Sequence, residues 1–526
     1  MSKKPLLLII LDGLGIAPHS PGNAVSLAKT PILDSVFQKY PHATLQAAGE
    51  AVGLPWHNMG SSEVGHMNIG SGRIMYQELP LINKDIESGK FFDNKAFKKV
   101  VKHIRKNKSA LHLVGILTPA GIHAHTNHLF ALLELCRREK IKKVYLHLFL
   151  DGRDAPSKSG LTYLKELRQV MKEKGVGQIA TLSGRFYAMD RNDRWDRTEK
   201  TYMAMVLGEG RRGSDALRAV RNSYQRKVFD EKLEPTVITR NKKPVAQIKS
   251  QDGIIFFNFR SDRAKQLTKA LVLPGFDKFL RPSFLREISM VTMTKYDNGL
   301  PVEVAFDQEG VRGSLGETIS QKKLKQYRIA ESEKYAHVSV FFNCGRIDPF
   351  LNEERDLIPS PHVSSYDKAP EMSAKKVSSS LLAKLKTNRS DFYCLNFANP
   401  DMLGHTGMIR PTIKAIETVD LCLKKIIPQF LGKDGHVIIT SDHGNSEVMI
   451  DLETGEADRE HTANPVPFFL VSKKFEMKTS FPLDASRMSA LAPVGVLADI
   501  APTILDLMEI EQPDEMTGIS LLKTIL

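Results

Sequence analysis

Short, continuous runs of Val, Ile, Leu and Phe recur along this chain, and each ends abruptly in polar or charged residues. They are PLLLIILDG (5–13), ALHLVGIL (110–117), KVYLHLFLDGRD (143–154), QIATLSGR (178–185), DGIIFFNFRSDR (252–263), FYCLNFANPD (392–401), HVIITSDHGN (436–445) and VPFFLVS (466–472). Runs without polar alternation fit strands buried on both faces of a parallel sheet. Between several of them lie stretches with apolar residues at helical spacing, such as HLFALLELCRREK (128–140) and MIRPTIKAIETVDLCLKKIIPQF (408–430). Strand–helix alternation defines an α/β fold. A chain of 526 residues has room for two large domains or three ordinary ones.

The N-terminal run Leu6–Leu11 follows Lys3-Lys4 but is too short for a signal core, and Asp12-Gly13 ends it. It reads as a buried first strand. No run reaches the roughly 20 apolar residues of a membrane span. The four cysteines, Cys136, Cys344, Cys394 and Cys422, are scattered, without metal-ribbon spacing. They read as small core residues of a cytoplasmic protein in a reducing compartment. The 74 Lys and Arg against 60 Asp and Glu leave a net charge of +14. Such an excess suits nucleic acid, an anionic membrane or small anionic substrates alike. The basic stretch 205–250 reads as a surface helix and loop.

Ligands of open α/β sheets bind outside the carboxyl ends of the strands. Asp12, Asp151, Arg153, Asp154, Arg185, Arg260, Arg263, Asp401, Asp442 and His443 all fall there. Several familiar motifs fail. The third glycine of a dinucleotide fingerprint would fall at Pro18, no phosphate-binding P-loop occurs, and GSSEV (60–64) lacks the last glycine of a serine nucleophile elbow. No row of arginines interleaved with aromatics forms a nucleic-acid platform.

What survives is a set of hard and borderline metal ligands. NPDMLGHTG (399–407) places Asp401 and His405 four apart, TSDHGNSE (440–447) supplies Asp442 and His443, and REHTANPVPF (459–468) supplies His461. With Asp12 these make three carboxylates and three imidazoles. Oxygen and nitrogen donors without thiolate suit Mn²⁺, Zn²⁺ or Mg²⁺, and six ligands exceed the needs of one tetrahedral ion. Two ions together would stabilise in-line phosphoryl displacement. In GSSEVGH (60–66), Ser61 and Ser62 stand at a helix start, where a hydroxyl meets the positive dipole end. Arg153, Arg185, Arg191, Arg260 and Arg263, with His123, offer forks for a small substrate bearing two anionic groups.

These motifs, from LLLIILDGLG (6–15) through SSEVGHMNIGSGR, GIHAHTNH, LDGRDAP, GRFYAMDRNDRW, NFRSDR, EKYAHV, NFANPDMLGHTG and SDHGN to HTANPVP and ADIAPTIL (498–505), resemble the cofactor-independent (2,3-bisphosphoglycerate-independent) phosphoglycerate mutases of the alkaline phosphatase superfamily. The resemblance implies one Mn²⁺ held by Asp401, His405 and His461, and another held by Asp12, Ser62, Asp442 and His443. It makes Ser62, which directly precedes EVGH, the nucleophile. Substrate would be bound by His123, Arg153, Asp154, Arg185, Arg191, Arg260, Arg263 and Lys334, with Asp154 as general acid/base. Lys334 would stabilise the phosphoryl oxygens. Departures are Ser61 where Asn is common, Ser261 where Pro is common, Cys344 in place of a small residue, and an irregular stretch 346–356.

The order of these residues sets a domain plan. Metal ligands and nucleophile lie before residue 75 and after residue 400, and the arginines lie between them. An alkaline-phosphatase-like parallel-sheet metal domain, 1–77 and 311–526, is therefore expected to be split by a second α/β domain, 78–310, that binds substrate. QEGVRGSLGETIS (308–320) would be the return linker. The implied reaction interconverts 3- and 2-phosphoglycerate through phosphoserine, with two divalent metals, no 2,3-bisphosphoglycerate, and domain closure to exclude water. A cytoplasmic monomer is expected, with no nucleic-acid or membrane partner. The alternatives are another two-metal phosphatase or phosphodiesterase, or a basic nucleic-acid-binding protein.

Overall fold

The computed structural model describes residues 4–282, 284–307, 311–387, 390–476 and 488–526. The chain forms two compact units, Met1–Gln77 with Glu309–Leu526, and Glu78–Gln308.

In the first unit the strand Leu6–Leu11 lies inside an eight-stranded sheet, paired in parallel with Phe392–Phe397 on one side and His436–Thr440 on the other. All six of its side chains are buried. Leu6, Leu8 and Ile10 enter one apolar cluster and Leu7, Ile9 and Leu11 another, as the two-residue period of a strand requires when both faces are covered. Helix Ile500–Leu507 packs Ile500, Ile504 and Leu505 against the first face. Helix Ile409–Leu431 packs Val419, Leu423, Ile426 and Phe430 against the second. The apolar run at 466–472 forms the strand Val466–Val471, but it pairs antiparallel with both neighbours. The sheet is therefore mixed. Direction was not legible there, because a strand buried on both faces has the same composition either way.

The second unit is built on the strand Leu111–Leu117, flanked in parallel by Val144–Leu150 and Gly253–Phe256. Gln178–Gly184 extends the sheet in parallel, and Thr236–Arg240 pairs with it antiparallel. The stretch 205–250 is thus more than surface helix and loop. It holds helix Ala216–Gln225, but also the strands Arg211–Gly213, Thr236–Arg240 and Lys243–Pro244. These strands are short and their exposed side chains basic, which hid them.

Two other expectations need correction. In the stretch 308–320, Ser314 caps helix Leu315–Gln321 by accepting from the Glu317 N–H, so its second half is regular structure and not linker; residues 308–310 lie outside the described ones. In 346–356, the last four residues open the edge strand Glu353–Ile358, whose charged residues suit a sheet edge. The four cysteines are free, and three are buried. Among the described residues, no helix is long and apolar enough to cross a membrane.

Candidate active site

In the first unit the charged residues gather at the carboxyl ends of the central strands. Asp12 follows Leu6–Leu11, Lys334 follows Gln326–Glu331, Asp401 follows Phe392–Phe397, and Asp442 and His443 follow His436–Thr440. Gly13 lets the first of these loops turn: its φ is +71°, and a Cβ there would lie 2.7 Å from the Asp401 Cα. Ser62 opens helix Ser62–Ser71, capped by the Ser61 hydroxyl. Gly65 brings that helix against the Asp442 backbone, where a Cβ would lie 2.5 Å from its carbonyl oxygen.

Ser62 Oγ lies 2.6 Å from Lys334 Nζ, 2.9 Å from His443 Nε2 and 3.2 Å from Asp12 Oδ1. The Lys334 ammonium also donates to Asp12 Oδ1 at 2.6 Å and Asp401 Oδ2 at 2.5 Å. Burial works against its charge, but Asp12, Asp401 and Asp442 outweigh that and hold its pKa above the usual lysine range. Burial would likewise raise Asp401; the Lys334 charge and the His405 and His461 hydrogen bonds overcome it and hold Asp401 well below the carboxylate range.

The imidazoles share one orientation. The Nδ1 of His405 faces the Arg459 carbonyl at 2.8 Å, that of His461 the Gly60 carbonyl at 2.8 Å, and that of His443 the Gly444 carbonyl at 3.3 Å. The carbonyl at each Nδ1 turns Nε2 toward the carboxylates, where it can ligate a metal once its own proton has left. His405 Nε2 and His461 Nε2 stand 3.1 Å apart, at 3.3 and 3.4 Å from Asp401 Oδ1. Donors about 2.0–2.1 Å from one ion stand roughly 3–3.4 Å from each other. His443 lies in reach of two ligand groups, one with Asp401 and His461, the other with Asp12 and Asp442. Asp442 Oδ2 is buried, with His66 Nδ1 3.1 Å and His443 Nε2 3.6 Å away. Imidazole nitrogens and carboxylate oxygens converging at these distances fit divalent cations.

Four residues that sequence reading passed over support this set. Asn396 donates to Asp12 Oδ2 at 2.7 Å and lies 3.1 Å from His66 Nε2. His66 Nδ1 faces the Ser62 carbonyl at 2.8 Å and Asp442 Oδ2 at 3.1 Å. Asn445 donates to Asp401 Oδ1 at 2.9 Å. Glu447 accepts from the Gly15 and Asn445 backbone N–H groups at 3.0 and 2.8 Å. All four sit inside quoted motifs, but nothing in the motifs alone gave them these contacts.

The second unit has its own cluster, again at strand ends. Arg185 is buried, donating to Asp151 Oδ1 at 2.6 Å and to Asp154, with His123 Nε2 3.0 Å away. Burial, helped by the Arg185 charge, lowers the His123 pKa to about 4, so this imidazole is neutral near pH 7. Asp262, in the strand-end cluster 260–263, is a hub: it accepts from Arg191 at 2.9 Å and lies 3.3 Å from Arg260 Nε and 3.7 Å from His123 Nδ1. Arg263 donates to the Met189 carbonyl at 3.2 Å, and Arg153 Nη1 lies 3.9 Å from Glu231. Arg153, Arg191 and Arg260 remain about half exposed. Lys334 belongs to the first unit, among its carboxylates.

Two α/β units, each with its polar cluster at strand ends, are the frame of an enzyme acting on a small anion. Residues 82–298 match the family model described as the BPG-independent PGAM N-terminus. The 2,3-bisphosphoglycerate-independent phosphoglycerate mutase of Clostridium acetobutylicum is 52% identical over 522 residues, covering 99% of this chain and all of the relative. That of Clostridium perfringens is 51% identical over 523 residues, with 99% and 100% covered. A solved structure of Leishmania mexicana phosphoglycerate mutase is 28% identical, with a TM-score of 0.54 and 98% and 97% of the two chains covered. The chain belongs to the 2,3-bisphosphoglycerate-independent phosphoglycerate mutase family. It is an isomerase of 3- and 2-phosphoglycerate, and its described residues include two groups that could hold a metal ion.

Proposed function

We propose that this chain moves the phosphate between the glycerate hydroxyls through a phosphoserine at Ser62. The observation that carries the reading is the setting of Ser62 Oγ, at a helix N-terminus with the Lys334 ammonium 2.6 Å away. A positive charge at that distance favours the alkoxide and the phosphate it would carry. Attack forms the Oγ–P bond and breaks the P–O bond to glycerate. The departing oxygen takes a proton from Asp154, and the other hydroxyl returns one to Asp154 as it attacks the phosphoserine. Lys334 offsets charge on the phosphoryl oxygens. His123, Arg153, Arg185, Arg191, Arg260 and Arg263 hold the carboxylate and phosphate of the substrate, so glycerate is retained between the two transfers.

Asp401, His405 and His461 would hold one divalent ion, and Asp12, Ser62, Asp442 and His443 a second. Bound there, the pair would neutralise phosphoryl charge and lower the serine pKa. The mixture of imidazole and carboxylate suits Mn²⁺, and the Leishmania mexicana relative was crystallised at low cobalt concentration. Residues 1–77 and 311–526 would then be the phosphatase-like part, and 78–310 the substrate-holding part. The enzyme is read as a cytoplasmic monomer, since one chain carries both clusters and glycolytic phosphoglycerate is a soluble metabolite. Neither nucleic acid nor membrane enters this reaction.

The test is a coupled assay for 2-phosphoglycerate without added 2,3-bisphosphoglycerate. Chelator-treated protein should be inactive and Mn²⁺ should restore it. Full turnover in thoroughly metal-free protein would contradict the reading.

A further inference from the structure

The reaction leaves one charged feature of the second unit unused. The 46 residues from 205 to 250 carry eleven Lys and Arg against five Asp and Glu, so they hold +6 of the chain's +14. Part of this charge lines a cleft of about 490 Å³ formed by Arg211, Arg212, Arg218, Asn222, Arg226 and their neighbours. That volume is within the range of small-molecule sites, roughly 300–1,000 Å³.

The cleft is built from two elements. Arg211 and Arg212 come from the strand Arg211–Gly213, and Arg218, Asn222 and Arg226 from helix Ala216–Gln225 and its C-cap. The spacing 218, 222, 226 puts the last three on one helix face, spanning about 12 Å. All four guanidinium groups are exposed. Arg211 donates to Glu234 and Arg212 to the Lys242 carbonyl at 3.5 Å. Among the described residues no carboxylate pairs with Arg218 or Arg226, and no lining residue is acidic. Asp215, which caps the helix, is engaged 3.2 Å from Arg168 Nη2.

Guanidinium forks match phosphate oxygens two at a time. Arg218 and Arg226, about 12 Å apart along the helix, together with Arg211 and Arg212 from the strand, suit several linked phosphates better than one. The lining has no aromatic side chain on which a base could stack, which argues against single-stranded nucleic acid. We propose that this cleft binds a linear condensed phosphate, a triphosphate or longer chain, at a site separate from the catalytic residues. The same triphosphate group could come free or attached to a nucleoside, and the lining recognises only the phosphates.

The test is titration calorimetry of the full chain with sodium tripolyphosphate, orthophosphate, a nucleoside triphosphate and a single-stranded RNA oligonucleotide at low salt. Tripolyphosphate should bind one per chain at the cleft, at least tenfold tighter than orthophosphate, and more weakly as salt rises. The nucleoside triphosphate should match it. The double substitution Arg218→Gln/Arg226→Gln should weaken that binding at least tenfold and leave mutase turnover unchanged. Asn222→Glu, which keeps every arginine but places a negative charge between them, should weaken it as well. Tripolyphosphate affinity that survives these substitutions would overturn the proposal, as would tighter binding of RNA than of tripolyphosphate to the same arginines.

Discussion

The ammonium of Lys334 stands 2.6 Å from Ser62 Oγ and 2.6 Å from Asp12 Oδ1, so one buried cation serves both the hydroxyl and the carboxylate beside it. Removing it leaves Asp12 and Asp401 buried without their counter-charge, which costs about 3–5 kcal/mol in measured cases. Lys334→Ala should therefore lower the melting temperature of metal-free protein markedly, and divalent metal should recover much of that loss. Turnover should fall by at least about 10², as for the loss of one preorganised donor to a transition-state oxyanion. Calorimetric melting with and without Mn²⁺, alongside the coupled assay, checks both. An unchanged melting temperature would contradict the charge balance drawn here.

Asn396 and His66 form a bridge from Asp12 to Asp442. Outer partners of this kind typically tune metal affinity by about 10–100-fold. Asn396→Ala should weaken Mn²⁺ binding by that factor in titration calorimetry, with most of the lost turnover regained at saturating metal. Equal affinity in the variant would reduce Asn396 to a packing residue.

These supporting residues mark where sequence reading stops. The run 6–11, the strand ends and the ligand types were legible because each is a local pattern. Asn396 was not, since a lone polar residue in FYCLNF shows its purpose only when the Leu6–Leu11 strand pairs beside it and brings Asp12 near. Asp262 was hidden for a related reason. It lay between two arginines already given roles, and its reach to Arg191 and His123 depends on loops from three strands. The direction of Val466–Val471 depended on pairing, which composition does not encode.

Glu331 gives a pH-dependent prediction away from the metal ligands. It ends the strand Gln326–Glu331, is buried, and accepts from the Ser360 hydroxyl at 2.9 Å. Burial raises its pKa from 4.5 to about 7. The folded state therefore holds a proton that the unfolded chain releases above pH 4.5. This contribution to stability is full below pH 4.5 and is lost as pH rises through 7, a difference of about 3 kcal/mol by pH 8. Glu331→Gln keeps an acceptor for Ser360 and carries no charge. It should raise the denaturation midpoint at pH 8 and change it little at pH 4.5. Equal effects at both pH values would show that folding does not raise the pKa of this side chain.

The adjacent serines give the most direct test of the central claim. Ser62 faces Lys334, His443 and Asp12, whereas Ser61 caps the helix and accepts from the Val64 N–H at 3.4 Å. The measurement is mass spectrometry of protein quenched in acid during turnover of 3-phosphoglycerate with Mn²⁺, on the parent chain, Ser62→Ala and Ser61→Ala. The account predicts phosphate on Ser62 in the parent and in Ser61→Ala, which should keep most of its turnover, and neither phosphate nor turnover in Ser62→Ala. Phosphate on Ser61, or mutase turnover surviving in Ser62→Ala, would contradict it.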